Sequence, residues 1–368
     1  MRLFKRIAAV LLMLVVTALA VLAFMLQHDT ACPAQALAAP AGPAMNAVVY
    51  RCYGSPAVLH VESIERPRLE EDQVLVQVHA ASLNPLDWHF MRGTPYIVRL
   101  DGGIGHPKNI QLGVDFSGTV VEVGSAVRRF RVGDAVFGGR DGAFAEYVPV
   151  REQRALALKP ENVSFEQAAA VPIAGVTALQ ALRDKGHLHA GDKVLINGAS
   201  GGVGTFAVQI AKAYGAEVTG VCSTRNVELV RSLGADHVID YTREDFTQLG
   251  QRYDLVIDTV GSHPLLDYRR AMTPHGTLVI VGGPSTGNWL GPLATPIRAI
   301  LLRPFVSQRF EPFLAELSGA DLTVLAELMQ TGKVTPVIDR RYPLAETAAA
   351  MAYLEAGHAR GKVVISVP

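Results

Sequence analysis

Short apolar segments alternate with helix-length amphipathic segments through the middle of the chain. Apolar strands are predicted over residues 193–197, 217–222, 237–240, 254–258 and 277–281. Helices are predicted between them, at about residues 205–214 and 227–233. Strands that alternate with helices favour right-handed crossovers and a parallel sheet that is covered on both faces. The pattern therefore predicts a doubly wound α/β domain.

A different pattern precedes this domain. Between residue 46 and about residue 165, short apolar or alternating segments are separated by glycine turns, as they are around Gly113, Gly124, Gly133 and Gly138. Short strands with glycine turns predict a partly open β-barrel. A helix follows over residues 167–181, and we expect it to be interrupted near Pro172 and Gly175.

The N-terminus has a third pattern, in which three basic residues are followed by an uncharged apolar stretch over residues 7–26. An apolar helix of about 20 residues is about 30 Å long, the thickness of the hydrocarbon core of a bilayer. We expect residues 1–30 to be a membrane anchor that crosses the membrane through residues 7–26, and residues 31–45 to be a linker. The alternative is a long signal peptide that is cleaved near residues 36–38.

The turn after the first predicted strand carries the strongest candidate chemistry. It reads Ala199-Ser200-Gly201-Gly202-Val203-Gly204 and leads into the predicted helix. A strand, a tight glycine turn and a helix N-terminus with unpaired N–H groups make a pyrophosphate site. Gly201 lets the backbone approach the phosphates, and Gly204 lets the helix pack closely on the strand. These six residues are therefore predicted to bind a dinucleotide.

The tip of the second strand predicts which dinucleotide binds. NAD sites usually carry an acidic residue there, which accepts a hydrogen bond from the ribose 2′-hydroxyl, but this tip reads Ser223-Thr224-Arg225. Arg225 can pair with a 2′-phosphate, assisted by the two hydroxyl groups that precede it. NADPH is therefore the expected cofactor, and NADH is less favoured. Because ligands bind at the carboxyl ends of parallel strands, three further residues join the site: Tyr241, Val260 and Gly282.

Composition narrows the classes of function. The chain has 368 residues, of which 49% are hydrophobic, and a formal net charge of zero. Since no basic run follows the N-terminus, nucleic acid is not an expected partner. The cysteines, Cys32, Cys52 and Cys222, are far apart and form no CxxC or Cys/His cluster. We therefore expect free thiols, no disulfide framework and no zinc site.

Several motifs occur in the order typical of one enzyme family. They are Asn84-Pro85-Leu86-Asp87, Gly113-Val114-Asp115-Phe116-Ser117-Gly118, Phe130-Arg131-Val132-Gly133-Asp134, the glycine turn, Leu233-Gly234-Ala235-Asp236 and Gly361-Lys362-Val363-Val364. With them, residues 46–368 resemble the zinc-independent quinone oxidoreductase branch of the medium-chain dehydrogenase/reductase superfamily. The resemblance implies an α/β fold with a GroES-like partly open β-barrel as catalytic domain, made of residues 46–165 and completed by 335–368. It implies a Rossmann NADP-binding domain over residues 166–334, and a homodimer.

The resemblance also implies a reaction. The zinc branch of the superfamily carries a cysteine where this chain has the segment from Asn84 to Asp87, and a Gly-His-Glu segment that this chain lacks. Direct alcohol oxidation is harder without a Lewis acid. The expected function is therefore NADPH-dependent hydride transfer to a small quinone or α,β-unsaturated carbonyl, with no zinc.

Site residues beyond the glycine turn follow from the same resemblance. It puts Asn84 near the nicotinamide ribose, Thr177 against the nicotinamide, and Lys362 within reach of the cofactor across the cleft. Tyr241 would lie beside the adenosine 2′-phosphate. Many relatives have a tyrosine near the substrate where this chain has His89, so His89 or, as a substitute, Tyr96 is expected at that place.

Two other functions stay open. One is an NAD(P)-dependent alcohol or carbonyl reductase of the same superfamily, and the other is a non-catalytic NADPH-binding sensor tethered to the membrane. The positive-inside rule puts the basic N-terminus in the cytoplasm and the enzyme on the other side of the membrane, whereas NADPH is made inside cells. An inverted topology, another source of reductant, or loss of catalysis would each resolve this conflict.

Overall fold

The computed structural model describes residues 2–32, 40, 42–283, 287–289 and 291–368. Its α-helices are, in chain order, α1 (Arg2–Gln27), α2 (Pro85–Arg92), α3 (Arg99–Gly102), α4 (Phe165–Ala169), α5 (Pro172–Gln180), α6 (Gly202–Ala213), α7 (Val227–Ser232), α8 (Leu265–Tyr268), α9 (Ala294–Leu302), α10 (Gly319–Gln330) and α11 (Thr347–Glu355). Its strands are β1 (Ala44–Val49), β2 (His60–Glu65), β3 (Gln73–Ser82), β4 (Asp115–Val123), β5 (Ala135–Gly139), β6 (Tyr147–Arg151), β7 (Leu156–Leu158), β8 (Lys193–Asn197), β9 (Glu217–Cys222), β10 (His237–Asp240), β11 (Tyr253–Asp258), β12 (Met272–Ile280), β13 (Arg309–Pro312), β14 (Ile338–Pro343) and β15 (Lys362–Ser366).

The alternating region forms a six-stranded parallel sheet in the order β10-β9-β8-β11-β12-β13. This is the strand order of a doubly wound dinucleotide-binding fold, in which the order reverses next to the first strand. The first predicted strand is confirmed from residue 193, and the next two are confirmed at their predicted bounds. Strands β11 and β12 begin earlier than predicted, and β12 ends one residue earlier. Strand β13 was not predicted, because Arg309 and Glu311 break its apolar character.

The helices cover both faces of this sheet. Helix α6 begins at Gly202, before the predicted start at residue 205, and buries most of its residues. The predicted interruption near Pro172 is confirmed, since α4 ends at Ala169 and α5 begins at Pro172. Proline fits the first turn of a helix because it has no N–H group to leave unpaired.

A mixed sheet forms the second layer of the molecule. Its strands run in the order β14-β15-β3-β4-β5-β7, with β6 paired to the side of β3. The C-terminal strand β15 pairs parallel with β14 and antiparallel with β3. Both ends of the chain therefore build this sheet, and the parallel sheet is inserted between them.

The two sheets meet at the glycine turn. Gly201 pairs with Gly361 in an isolated bridge, and the Gly361 N–H donates to the Ser200 carbonyl at 2.9 Å. Since Gly361 directly precedes β15, this contact sets the end of the mixed sheet against the turn that follows β8.

The end of α1 packs against the β-rich part of the chain. The guanidinium of Arg99, which is 3% exposed at its side chain, lies 2.7 Å from Asp29. It also donates to the Leu26 carbonyl at 2.9 Å, and the Thr30 N–H donates to the Gly105 carbonyl at 2.9 Å. Residues 28–32 therefore fold back onto the segment that follows α2.

This packing corrects the expectation of three free thiols. Cys32 and Cys52 form a disulfide with their Cα atoms 5.3 Å apart, because the chain after α1 returns to the β-rich part instead of leaving as an open linker. Cys222 is a buried free thiol, as expected. Most of the predicted linker, residues 33–39 and 41, lies outside the described residues.

Candidate active site

The parallel sheet brings the predicted cofactor residues to one edge. Strands β8, β9, β10, β11 and β12 all point the same way. The residues that follow their carboxyl ends include Ala199, Ser223, Tyr241, Val260 and Gly282. The Tyr241 N–H donates to the Cys222 carbonyl at 3.0 Å, so Tyr241 lies beside the tip of β9.

The glycine turn has the geometry that phosphate binding requires. A Cβ atom on Gly204 would lie 2.1 Å from the Gly198 carbonyl oxygen, so only glycine lets α6 pack this closely on the turn. Gly198 has φ of +87°, which favours glycine there too. By contrast, the nearest atom to a Cβ on Gly201 would be 3.4 Å away. Space for a ligand therefore remains over Gly201, where the first N–H groups of α6 have no partner within the helix.

Two of the predicted residues at the tip of β9 already have protein partners. The Thr224 hydroxyl donates to Asp240 at 2.6 Å. The exposed Arg225 donates to the His358 carbonyl at 3.0 Å, across the cleft between the two sheets. The Arg225 guanidinium is therefore exposed at the edge of the cleft, where it could form an ion pair with a 2′-phosphate.

A buried asparagine links the glycine turn to the tip of β9. The Asn226 side-chain N–H donates to the hydroxyl groups of Ser200, at 2.9 Å, and Ser223, at 3.2 Å. Asn226 is 5% exposed, and its Oδ1 atom has no hydrogen-bond partner within the described residues. A buried acceptor without a donor costs free energy, and a hydroxyl group of a bound dinucleotide would supply that donor. The residues present therefore fit the cofactor.

A buried polar cluster faces the glycine turn from the mixed sheet. The Lys362 ammonium donates to the Asn84 side-chain oxygen at 2.5 Å and to the Leu83 carbonyl at 3.0 Å. It lies 3.3 Å from Asp115, which also accepts a hydrogen bond from the Asn84 amide at 2.9 Å. A Cβ on Gly202 would lie 3.2 Å from the Lys362 side chain, so the cluster borders the turn.

The cluster has a second carboxyl group, Asp87, which is 2% exposed. It accepts a hydrogen bond from the Asn84 N–H at 2.7 Å and fixes the start of α2. Burial raises the pKa of Asp87 to about 7, although this hydrogen bond and the charge of Lys362 favour the carboxylate. Burial also lowers the pKa of Lys362, opposed by the charge of Asp115.

The predicted reach of Lys362 to the cofactor stays a prediction. Its ammonium is bound by oxygen atoms of Leu83, Asn84 and Asp115 inside the mixed sheet. Only its alkyl chain approaches the glycine turn. Thr177, by comparison, is 9% exposed within α5, which packs against α6.

His89 and Tyr96 lie on the two sides of one short loop. The His89 Nδ1 atom is 2.7 Å from the Thr94 carbonyl oxygen, so this nitrogen carries the proton and Nε2 is left as an acceptor. Burial lowers the pKa of His89, which keeps the ring neutral. The Tyr96 ring packs edge-on against Trp289, with 5.3 Å between centroids. Its hydroxyl accepts a hydrogen bond from the Asn288 side chain at 3.5 Å and donates none within the described residues.

Three residues of the candidate site were not predicted from the sequence: Asp87, Asp115 and Asn226. Two of them belong to quoted motifs, Asn84-Pro85-Leu86-Asp87 and the segment around Asp115. An acidic residue inside an apolar strand was the available signal for Asp115. Asn226 had no such signal, because its partners come from the tips of two separate strands. Within the described residues, no group of three or more His, Cys, Asp or Glu side chains could hold a metal ion.

Two family models match the chain. An alcohol dehydrogenase GroES-like domain matches residues 70–161, and a domain described as zinc-binding dehydrogenase matches residues 233–365. Among curated relatives, the chain is 37% identical to a chloroplastic NADPH-dependent alkenal/one oxidoreductase of Arabidopsis thaliana, over 87% of this chain and 79% of the relative. It is 34% identical to a chloroplast envelope quinone oxidoreductase homolog of the same plant, over 88% of this chain and 99% of the relative.

Solved structures agree with these relatives. A quinone oxidoreductase from Coxiella burnetii superposes with a TM-score of 0.78 at 34% identity, covering 89% of this chain and all of the other. Identity at this level over nearly the whole length goes beyond a shared fold, and the mixed and parallel sheets correspond to the GroES-like and Rossmann-like sheets of the superfamily. The chain therefore belongs to the quinone oxidoreductase-like branch of the medium-chain dehydrogenase/reductase superfamily, and it is an oxidoreductase.

Proposed function

We propose that this protein is a zinc-independent, NADPH-dependent reductase of quinones or α,β-unsaturated carbonyls. One observation carries the proposal: the contact between Ser200 and Gly361 sets the glycine turn directly against the cluster of Asn84 and Lys362. A cofactor whose pyrophosphate lies on the turn would extend toward that cluster. The relatives named for alkenal/one and quinone reduction support the same reaction.

The choice of NADPH rests on the tip of β9. No carboxylate stands in the segment from Ser223 to Arg225 to accept from a ribose 2′-hydroxyl. Arg225 is exposed there and, within the described residues, donates to a carbonyl oxygen, which a phosphate can replace with a stronger, charge-assisted bond. One of the similar proteins is named as NADPH-dependent, which supports this choice.

Zinc independence is supported by the charge already present. The resemblance aligns the segment from Asn84 with the place of a zinc ligand in the zinc branch. Here the Lys362 ammonium lies 2.5 Å from the Asn84 oxygen, so a buried cation already lies at this place. A second, divalent cation would be repelled by it.

The chain's residues act on the acceptor by position and hydrogen bonding. When bound, the reduced nicotinamide supplies a hydride, which is two electrons and one proton. The acceptor takes this hydride at an electrophilic carbon or at a quinone oxygen, and one further proton from water completes the reduced product. We assign to Tyr96 the hydroxyl that donates a hydrogen bond to the substrate oxygen. The Nε2 atom of neutral His89 carries no proton and therefore cannot donate one.

The reaction is tested with the full-length chain in detergent, by following consumption of NADPH and NADH with ortho-quinones, enals and saturated aldehydes. Rapid NADPH oxidation with quinones or enals, retained after treatment with a zinc chelator, is the expected result. Turnover only with aldehydes, or loss of activity on chelation, would overturn the proposal. Tight NADPH binding without turnover would favour a sensor.

Replacing Tyr96 by Phe should lower kcat while NADPH affinity stays unchanged.

We also propose that the N-terminal helix is retained as a membrane anchor. Helix α1 is apolar enough to cross a membrane over Phe4–Gln27, by length and composition. Cleavage near residues 36–38 would remove Leu26, Asp29 and Cys32. That loss would remove two partners of the Arg99 guanidinium and the disulfide to Cys52, and with them the contacts that fix the end of α1.

The Cys32–Cys52 disulfide supports a catalytic domain on the oxidising side of the membrane. The positive-inside rule points to the same side, so the reductant has to be supplied outside the cytoplasm.

Two experiments test the anchor and its topology. When membranes are washed with alkaline carbonate, the chain should stay in the membrane fraction. In sealed right-side-out vesicles, an impermeant maleimide should label these two cysteines only after reduction. Labelling without reduction, or only after lysis, would contradict this topology.

A homodimer is proposed as well. Within the described residues, no strand pairs with the outer edge of β13, and exposed sheet edges pair readily with another chain. Light scattering of the detergent-solubilised protein, corrected for bound detergent, should give the mass of two chains.

A further inference from the structure

Several contacts within residues 26–32 fix the end of the N-terminal helix to the β-rich part of the molecule, and we call this set of contacts the clasp. Arg99 is the centre of this clasp, with its guanidinium on the Leu26 carbonyl and the Asp29 carboxylate. The same group donates to the Gly93 carbonyl at 2.8 Å and stacks between the rings of Tyr53 and Tyr96, at 4.5 and 4.9 Å from their centroids. The candidate substrate residue Tyr96 therefore shares a partner with the end of the anchor.

Two further attachments follow within a few residues. Both the N–H and the hydroxyl of Thr30 donate to the Gly105 carbonyl, at 2.9 and 3.1 Å. Cys32 is then joined covalently to Cys52. With three successive attachments over seven residues, these residues are not a flexible linker between α1 and the domain. The direction in which α1 leaves the domain, and thus the side that faces the bilayer, is set by this clasp.

The surface beside the clasp carries exposed apolar side chains. Within the segment after α2, Ile97, Leu100 and Ile104 are 45%, 55% and 39% exposed. Trp289, which is 42% exposed and packs on Tyr96, and Leu293, which is 40% exposed, extend the surface across the cleft. We call these five residues the apolar lip. Tryptophan and large aliphatic side chains are the residues that bind at the headgroup level of a bilayer.

We propose that the apolar lip rests in the membrane that α1 crosses, so that the acceptor enters the active site from the bilayer. The occupant of the lip is a lipid surface, because α1 leaves the domain at its edge and contacts the Tyr96–Val98 turn that carries Ile97. The inference rests on the proposed function and narrows it. The substrate is a membrane-dissolved quinone or enone with an apolar tail, and its reactive head reaches Tyr96 across the lip.

The position of the lip is tested by fluorescence, since the chain has two tryptophans. In the full-length Trp88→Phe variant only Trp289 emits. In phosphatidylcholine vesicles whose acyl chains are brominated near the headgroup, its emission should fall by at least about twofold relative to unbrominated vesicles. Unchanged emission would overturn the proposal.

A matched control places the reporter at the opposite end of the mixed sheet. Strand β3 pairs Ser82 with Asp115 at the active-site end and Val74 with Val123 at the other, where the exposed Val132 follows. A variant with Val132→Trp, Trp88→Phe and Trp289→Phe should show no quenching by the brominated lipid. Equal quenching of both reporters would mean that the domain has no preferred face toward the membrane, and would also overturn the proposal.

The route of the substrate is tested with the double variant Leu100→Ser and Ile104→Ser. Its kcat/KM for a long-prenyl quinone in vesicles should fall by about tenfold, because apolar area is lost from the lip. Its kcat/KM for a tail-less, water-soluble quinone should stay unchanged, as should both values in the control Val132→Ser. An equal loss with both quinones, or no loss with either, would refute entry from the bilayer. Wild-type protein that reduces neither quinone would refute the proposed reaction instead, while Trp289 quenching would still report on the lip.

Discussion

The two halves of the active site are built in different ways. The glycine turn is a local structure, in which backbone geometry over a few consecutive residues makes the site. The polar cluster opposite is built from side chains far apart in sequence, with Asn84 and Lys362 separated by 278 residues. The glycine turn depends on a few consecutive residues, whereas the buried charges of the polar cluster also depend on partners that are distant in the sequence.

Removal of the Lys362 ammonium should have the largest effect on the stability of the protein. Lys362→Met keeps most of the length of the side chain but leaves Asp115 and Asp87 in a buried cluster without a positive charge. Breaking a buried ion pair from one side costs about 3–5 kcal/mol, so the free energy of unfolding should fall by about that amount in urea titrations. The exposed Lys333→Met is the matched control and should change it little. A loss as small as that of the control would show that the cluster does not depend on its charge.

Gly201→Asp tests the local half of the site. The new Cβ has room, since its nearest neighbour would be 3.4 Å away, but the carboxylate would face the cofactor phosphates. Repulsion between like charges costs several kcal/mol, so NADPH affinity in calorimetric titrations should fall by at least about 100-fold while the melting temperature stays near that of the wild type. Gly201→Ala adds the same Cβ without the charge and should retain most of the affinity. Loss of affinity in both variants would point to backbone strain instead.

The buried carboxyl group of Asp87 should make the stability of the polar cluster depend on pH. The pKa of Asp87 is raised from 3.8 to about 7 in the folded protein, so between these values the folded state binds a proton that the unfolded state has lost. The contribution of Asp87 to stability should therefore be fully present below about pH 4, fall by up to about 1.4 kcal/mol per pH unit as the pH rises, and be lost above about pH 7.

Asp87→Asn should remove this slope in urea titrations between pH 4 and pH 8. The exposed Asp101→Asn should leave the slope as it is in the wild type. If the slope persists in Asp87→Asn, another group of the molecule titrates in this range.

The smallest effect is expected at the exposed edge of the cofactor site. Arg225→Ala removes one charge-assisted contact to the 2′-phosphate, which should raise the Kd for NADPH about tenfold and leave the Kd for NADH unchanged. The exposed Arg231→Ala on α7 is the control, and both affinities should resemble the wild type. Equal weakening of both cofactors would place Arg225 outside the 2′-phosphate site.

Much of the parallel domain could be predicted from the sequence. The bounds of β8, β9 and β10 follow from apolar runs and glycine turns, which are local features. Strand β13 could not be predicted, because its sequence is polar. It becomes a strand by pairing with β12, and this pairing requires the rest of the sheet. In the same way, Lys362 belongs to a recognisable motif, but its ammonium turns into the mixed sheet because Asn84 and Asp115 are there to receive it.

The periodic elements, the apolar N-terminal helix and the glycine turn follow from the sequence, because hydrophobic periodicity and backbone preference act over a few residues. Contacts between residues that are distant in the sequence follow from the fold. The Cys32–Cys52 disulfide, the partners of Arg99 and the cluster around Lys362 all depend on the path of the chain between their members. Cysteines or charges in a sequence show what could pair, but the energy of a contact exists only when folding brings the two groups within a few ångströms of each other.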